Sequence, residues 1–215
     1  MNRGDLMNKI IKLVIILTGI LLIHASASAQ VAENNEKQIN WSLTYPTVIV
    51  ENNPTAQEKI NTDILKYINE LRQDFQLGYY KCGGIYKLHY EDSSVISLSL
   101  YLYRMPYTGN GNHWSNVDLV YDKYTGNRIP LYHYVNATAK DLDLYKSGHS
   151  FAQDGTKLKS LKEESITRVP DDYFLVGDGI VCITFHSYEI ASGAFGPCYI
   201  KLEPDYIDYL NRLNK

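Results

Sequence analysis

Apolar residues recur at three- and four-residue spacing in one stretch above all. Ile60, Ile64, Ile68, Leu71 and Phe75, with Leu65 widening the stripe, predict an amphipathic helix running through Gln76. Asn53 and Pro54 supply an N-cap and a proline at the first helical position, Glu58 follows, and Gly78 stops the helix. Elsewhere the period is two. Ser94–Arg104 sets Ile96, Leu98, Leu100 and Leu102 against Ser97, Ser99, Tyr101 and Tyr103, which predicts a central strand whose second face is only partly covered.

Further strands are expected around this one. Ile39–Val50 is broken at Pro46, which suggests an edge position or a bulge. Tyr79–Glu91 reads as a strand pair interrupted at Gly83-Gly84, and Trp114–Tyr124 as a strand that turns at Thr125-Gly126 into Ile129–Val135. Near the C-terminus come Tyr173–Val176, Ile180–His186 and Cys198–Leu202, the first two joined by the hairpin signal Gly177-Asp178-Gly179. Val181, Ile183 and Phe185 are expected to face the core, with Cys182, Thr184 and His186 behind them. Asp141–Tyr145 and Lys157–Ser165 are short helical segments. Glu203-Pro204-Asp205 caps a final helix with Tyr206, Leu210 and Leu213 on one stripe. The fold class expected is α+β: a mainly antiparallel sheet with a long N-terminal helix and a C-terminal helix packed on one face.

The first residues read differently. Arg3, Lys9 and Lys12 precede an apolar run from Leu13 to Ile23, and Ala25–Ala29 provides a small-residue cleavage site. That is the pattern of a secretory signal peptide over residues 1–29, with the mature chain beginning at Gln30. Eleven apolar residues are short for a spanning helix, which needs about 20. No cysteine follows them to carry a lipid. Residues 30–38 are polar without an apolar period and read as a disordered leader. Residues 39–215 then form a single α+β domain.

Removing residues 1–29 takes away three basic residues and Asp5, so the formal charge moves from −3 to −5. An acidic chain of this kind disfavours nucleic acid and anionic membrane surfaces as partners. The expected location is periplasmic or extracellular, with no transmembrane segment in the mature chain. All 19 tyrosines lie in the mature part, where such amphipathic rings suit half-buried strands or a contact surface.

The order Phe174-Leu175, Asp178-Gly179-Ile180, Phe185, Tyr188-Glu189-Ile190-Ala191, Ala194 and Gly196-Pro197 resembles a bacterial extracytoplasmic domain family of largely unknown function. That family includes the outer domain of a lysozyme-sensing anti-sigma factor and the module ahead of the catalytic domain of a peptidoglycan deacetylase. The resemblance extends to the loop Tyr107–His113, where Gly109 and His113 are kept and Asn110-Gly111-Asn112 replaces the family's middle. It divides the domain into two segments, about 39–135 and 136–215. It implies a ligand such as a lysozyme-type muramidase or peptidoglycan.

The catalytic motifs are missing from the sequence. No serine sits in a Gly-x-Ser-x-Gly elbow, Gly109-Asn-Gly111 lacks the rest of a phosphate-binding fingerprint, and no histidine has a partner at metal-ligand spacing. His113 in its loop is a candidate base or ligand, though a loop histidine holding carbonyls suits the pattern better. His186 and Glu189 could form an acid/base pair, or a corner tied by side-chain hydrogen bonds. Among Cys82, Cys182 and Cys198 at most one disulfide can form. Cys182 and Cys198 close the shorter loop, and strand register leaves open whether they face each other.

The function expected is therefore an exported, non-catalytic binding module of the cell envelope, without cofactor or metal. The alternative is an envelope enzyme acting on cell-wall glycan, a hydrolase or deacetylase. Ligand-binding candidates are Tyr107, Gly109 and His113 in one loop, and Tyr188, Glu189 and Phe195 in the other. Both loops combine rings with backbone freedom.

Overall fold

A computed structural model describes residues 29–108 and 113–215. The signal-peptide expectation lies outside the described residues except for Ala29, and so does Gly109. Among the described residues no helix is long and apolar enough to cross a membrane.

The described chain opens with a hairpin, not a helix. Residues 30–38, expected to be a disordered leader, form most of β1 (Ala29–Gln38), which pairs antiparallel with β2 (Trp41–Val50) along its whole length. Its polar side chains find partners: Asn34 Nδ2 donates to Thr47 Oγ1 at 2.8 Å, and Glu36 accepts from Arg72 and from Trp41 Nε1. Pro46 lies beyond the last rung shared by β2 and β3, where that ladder has already ended.

The helix α1 (Pro54–Gln76) follows, with Asn53 accepting from Ala56 N as its cap. Ile60, Ile64, Ile68 and Leu71 are buried, as their spacing requires. The helix carries the chain across to β3 (Lys81–Glu91), which runs parallel to β2, and then to β4 (Val95–Met105) and β5 (His113–Asp122). These strands make a five-stranded sheet in sequential order, with β3 at its centre and β4, the strand expected there, one place off the centre beside the edge strand β5. Leu43, Ile96, Leu98, Leu100 and Leu119 pack against α1 as one core. Lys123, just past β5, is fully buried and paired with Glu91 at 3.0 Å.

After β5 the backbone makes only a single bridge, Tyr121 with Arg128, before a 3-10 turn at Leu131–His133. The strand expected over Ile129–Val135 is therefore absent. α2 (Ala139–Tyr145) is closed by a capping box between Thr138 and Asp141. The helix expected over Lys157–Ser165 does not form, because its backbone bonds elsewhere: Leu158 N donates to Ser150 O and Lys162 N to Ile190 O.

A second, four-stranded antiparallel sheet contains β6 (Ser150–Ala152), β7 (Tyr173–Leu175), β8 (Val181–Phe185) and β9 (Cys198–Leu202), in the order β6-β9-β8-β7. Gly177, Asp178 and Gly179 all take positive φ in the turn between β7 and β8. Val181, Ile183 and Phe185 face a second core with Leu142 of α2 and with Ile207 and Leu210 of α3 (Pro204–Leu213). Leu213, assigned to the buried stripe from its spacing, is exposed.

The expectation of one sheet with a long N-terminal helix and a C-terminal helix on one face is thus corrected. There are two sheets, one helix covers the first, and two short helices cover the second. The opposite face of the second sheet packs on the outer face of β3–β5. There the His89 and Phe174 rings stack at 4.0 Å, and Leu175 N donates to Ser97 Oγ at 2.9 Å. Periodicity identified the buried faces but not what each is buried against.

The three described cysteines are free and buried, so the Cys182–Cys198 disulfide is also corrected. Register explains this. Cys182 pairs with Lys201 and Cys198 with Phe185, three rungs apart, and the two thiols point to opposite faces of the sheet. Burial pushes Cys182 up to about 12 and Cys198 up to about 11, so neither is a ready thiolate.

Candidate functional site

The second sheet covers the outer face of the first only in part. What stays open is a groove of about 470 Å³, lined by Ser42 and Thr44 of β2, Gly84, Ile85 and Lys87 of β3, Tyr101 and Tyr103 of β4, Trp114 of β5, and Gln153 and Asp154 beyond β6. Its floor is aromatic. Register sets Tyr103 directly opposite Trp114, and their rings tilt together with centroids 5.4 Å apart. Trp114 is 59% exposed and Ile85 60%. Large apolar groups so open on a rigid sheet, rimmed by hydroxyls and amides, suit a ligand with an apolar face and polar edges.

The glycine pair that the sequence presented as a break lies inside β3, and it shapes this floor. A Cβ on Gly83 would stand 2.1 Å from the Ser42 carbonyl oxygen and 2.7 Å from the Tyr103 hydroxyl. The bare backbone lets β2 approach in parallel and lets the Tyr103 ring lie across β3. Gly83→Ala is expected to cost about 1–3 kcal/mol by overpacking and to lift Tyr103 off the floor. Thermal melts would show the first effect and a change in near-ultraviolet circular dichroism the second. A variant unchanged in both would refute this account of the floor.

None of the described sequence-derived candidates lines this groove. Tyr107 is 80% exposed at the end of the β4–β5 hairpin, edge-on to Tyr80 at 5.2 Å. His113 begins β5, exposed and opposite Arg104, next to Trp114. Tyr188 is 69% exposed with φ +72°, its ring lies against Gly193, and its carbonyl accepts from Lys162 Nζ at 2.9 Å. Glu189 ties its corner together, accepting from Arg168 Nη2 at 2.6 Å and from His186 N at 2.7 Å. Phe195, in the 3-10 turn Gly193–Phe195, is partly exposed. Sequence reasoning missed Trp114, Tyr103, Lys87 and Gly83 as site residues. The available signal was the half-covered face of Ser94–Arg104, which ends in Tyr101 and Tyr103.

Under the edge of the second sheet the same face turns polar. Asp118 accepts a short hydrogen bond from Ser99 Oγ and another from Asn116 Nδ2 at 2.8 Å, and His89 Nε2 lies 2.8 Å from Ser99 Oγ. Burial raises Asp118 to about 6, against the pull of Ser99, Thr184 and Asn116. Burial, reinforced by Lys87, lowers His89 to about 3. The neutral imidazole donates to Ser99, and Ser99 donates to the carboxylate. In that order the serine proton goes to Asp118 and not to histidine, the reverse of an activated nucleophile. Among the described residues, Asn116 Oδ1, Asp118 Oδ2 and Thr184 Oγ1 find no partner at hydrogen-bond geometry.

A larger cleft of about 640 Å³ opens between Arg128–Thr138, the segment Val169–Tyr173 and Asn214. Its guanidinium is already engaged. Arg128 donates to Asp63 Oδ2 at 2.6 Å, to the Asp118 carbonyl at 2.9 Å and to the Tyr67 hydroxyl at 3.1 Å, stitching the loop to α1 and β5. Burial raises Asp172, with His186 3.9 Å away acting against it.

No family model matches the chain, and no curated protein does at a significant level. Solved structures do. A member of the DUF3298 family from Bacteroides fragilis NCTC 9343 superposes with a TM-score of 0.59 at 11% identity, over 86% of this chain and 93% of that one. A DUF3298 family protein from Pseudomonas aeruginosa PAO1 gives a TM-score of 0.56 at 9% identity, over 85% and 93%. At such identities the likeness is one of fold. The chain is folded like these DUF3298 proteins, a domain type of unknown function.

Proposed function

We propose that this protein is a non-catalytic binding module of the bacterial cell envelope, and that its ligand is a glycan chain seated in the groove of Tyr101, Tyr103 and Trp114. The observation that carries this reading is the pair of tilted rings held by strand register on an open sheet face. A pyranose presents an apolar C–H face to such rings and hydroxyls to Ser42, Thr44, Gln153 and Asp154 around them. The envelope location is supported by the signal-peptide pattern of residues 1–29 and by the resemblance carried by Phe174–Pro197. The engaged hydrogen bonds of Ser99, His89 and Arg128 favour binding over catalysis.

Calorimetry of the mature chain against an N-acetylglucosamine tetramer and pull-down on purified sacculi test the proposal. Trp114→Ala is expected to weaken binding at least ~10-fold, about 1.4 kcal/mol, with the thermal melt unchanged. Undiminished binding by this variant would remove the groove from the reading. Binding to a lysozyme-type muramidase with no affinity for glycan would make the ligand a protein. A shortened or deacetylated glycan product would place the chain among the envelope enzymes.

A further inference from the structure

The groove carries charge as well as rings. Lys81, Gly83, Ile85 and Lys87 are alternate residues of β3 and share its outer face. Lys87 stands in the wall beside Tyr101, and Lys81 Nζ lies 5.8 Å from the centroid of the Tyr103 ring. Six residues of strand separate the two lysines, roughly 20 Å, so one ammonium stands toward each end of the aromatic floor. Neither has an acidic partner within ion-pair distance among the described residues, although eight other lysine and arginine side chains do.

The acid on the rim does not neutralise them. Asp154 is fully exposed, and its Oδ1 accepts from Thr156 N at 2.8 Å, which holds the carboxylate in its own turn. Asp118 lies further along the face, buried under the second sheet. A protein with a formal charge of −3 thus keeps two cations without an acidic partner among the described residues beside this aromatic floor. Long cationic side chains without an acidic partner among the described residues are available to an anionic ligand.

From this juxtaposition we infer that the groove selects a glycan bearing carboxylate groups, with the rings holding the sugar faces and Lys87 and Lys81 reading the carboxylates. The inference rests on the glycan reading above and narrows it to anionic amino-sugar chains. Lys87, inside the wall, is the stronger determinant.

The test compares two probes, the neutral N-acetylglucosamine tetramer and a tetrasaccharide of alternating N-acetylglucosamine and N-acetylmuramic acid with free lactyl carboxylates. The wild-type mature chain is expected to bind the carboxylated probe at least ~10-fold more tightly at low salt. The preference should shrink at high salt, because screening weakens exposed charge pairs. Lys87→Gln should erase most of the preference, weakening the carboxylated probe several-fold more than the neutral one, and Lys87→Arg should retain it. Equal binding of the two probes, both weakened by Trp114→Ala, would overturn the carboxylate assignment and leave the glycan reading standing. Binding of neither probe would overturn both. Equal loss of affinity for both probes in Lys87→Gln would make the lysine part of the floor and not a reader of charge.

Discussion

Leu100→Asp is expected to prevent folding. Leu100 is 1% exposed at the middle of β4, in the apolar core shared with Ile60, Ile64 and Leu98. An unpaired buried charge combined with the lost apolar contacts exceeds ~4 kcal/mol, a large share of the stability of a domain this size. The neighbouring change Tyr101→Ser serves as the control. Tyr101 is half-buried on the opposite face, at the boundary between the groove and the second sheet, so its loss is expected to lower the melting temperature without abolishing the transition. Urea unfolding followed by circular dichroism would distinguish them. Equal loss in the two variants would contradict the assignment of the faces.

Asp118→Asn is expected to stabilise the protein at pH 8. In the fold Asp118 titrates near 6, above its ordinary value, so the folded state holds the proton more tightly than the unfolded one. Its contribution is therefore favourable in acid and is lost as pH rises from about 4 through 6. Above that, burial of the charge costs about 3 kcal/mol. The amide keeps an oxygen for Ser99 and Asn116 and places an N–H where Oδ2 stands, beside Thr184 Oγ1.

His89 works the other way. It stays neutral in the fold down to about pH 3, whereas the unfolded chain takes up a proton near 6.5. Stability is thus lost as pH falls from 6.5 toward 3, by about 5 kcal/mol in full. The two groups offset each other across this window in the natural protein. Asp118→Asn removes the offset and should steepen the acid limb while raising the plateau at pH 8. Urea midpoints between pH 4 and 8 measure both. A variant with the wild-type profile would show that Asp118 does not carry this charge.

Much of this architecture could be read from the chain where one face of an element is buried and the other is not. The stripe Ile60–Phe75 and the alternation Ile96–Leu102 are of that kind, and both have their apolar faces buried, except that Leu65, expected to widen the stripe, is exposed. Residues 30–38 were illegible because neither face of β1 is consistently apolar, while the backbone pairing that fixes it is independent of side chains. Gly83 and Gly84 were read as a break since glycine more often marks a turn than a close approach within a sheet. The groove needs Tyr103 opposite Trp114, and the failure of the disulfide needs Cys182 three rungs from Cys198. Both are facts of register, which a period of two leaves undetermined.

Val120 and Tyr121 are neighbours in β5, yet one belongs to the second core and the other to the first. The buried members of the first core run from Trp41 to Tyr121 and those of the second from Val120 to Leu210, so the chain fills its two cores one after the other. For a polypeptide emerging N-terminus first, every buried residue of the first core is present before any strand of the second sheet. Strand pairing is confined to each half, and the packing of the second sheet on β3–β5 joins the halves later. The surface such a half-made chain leaves waiting includes Ser97, Ser99, His89, Asn116 and Asp118 beside the apolar Tyr90, Val95 and Val120. The polar members interrupt the apolar area that other nascent chains could adhere to.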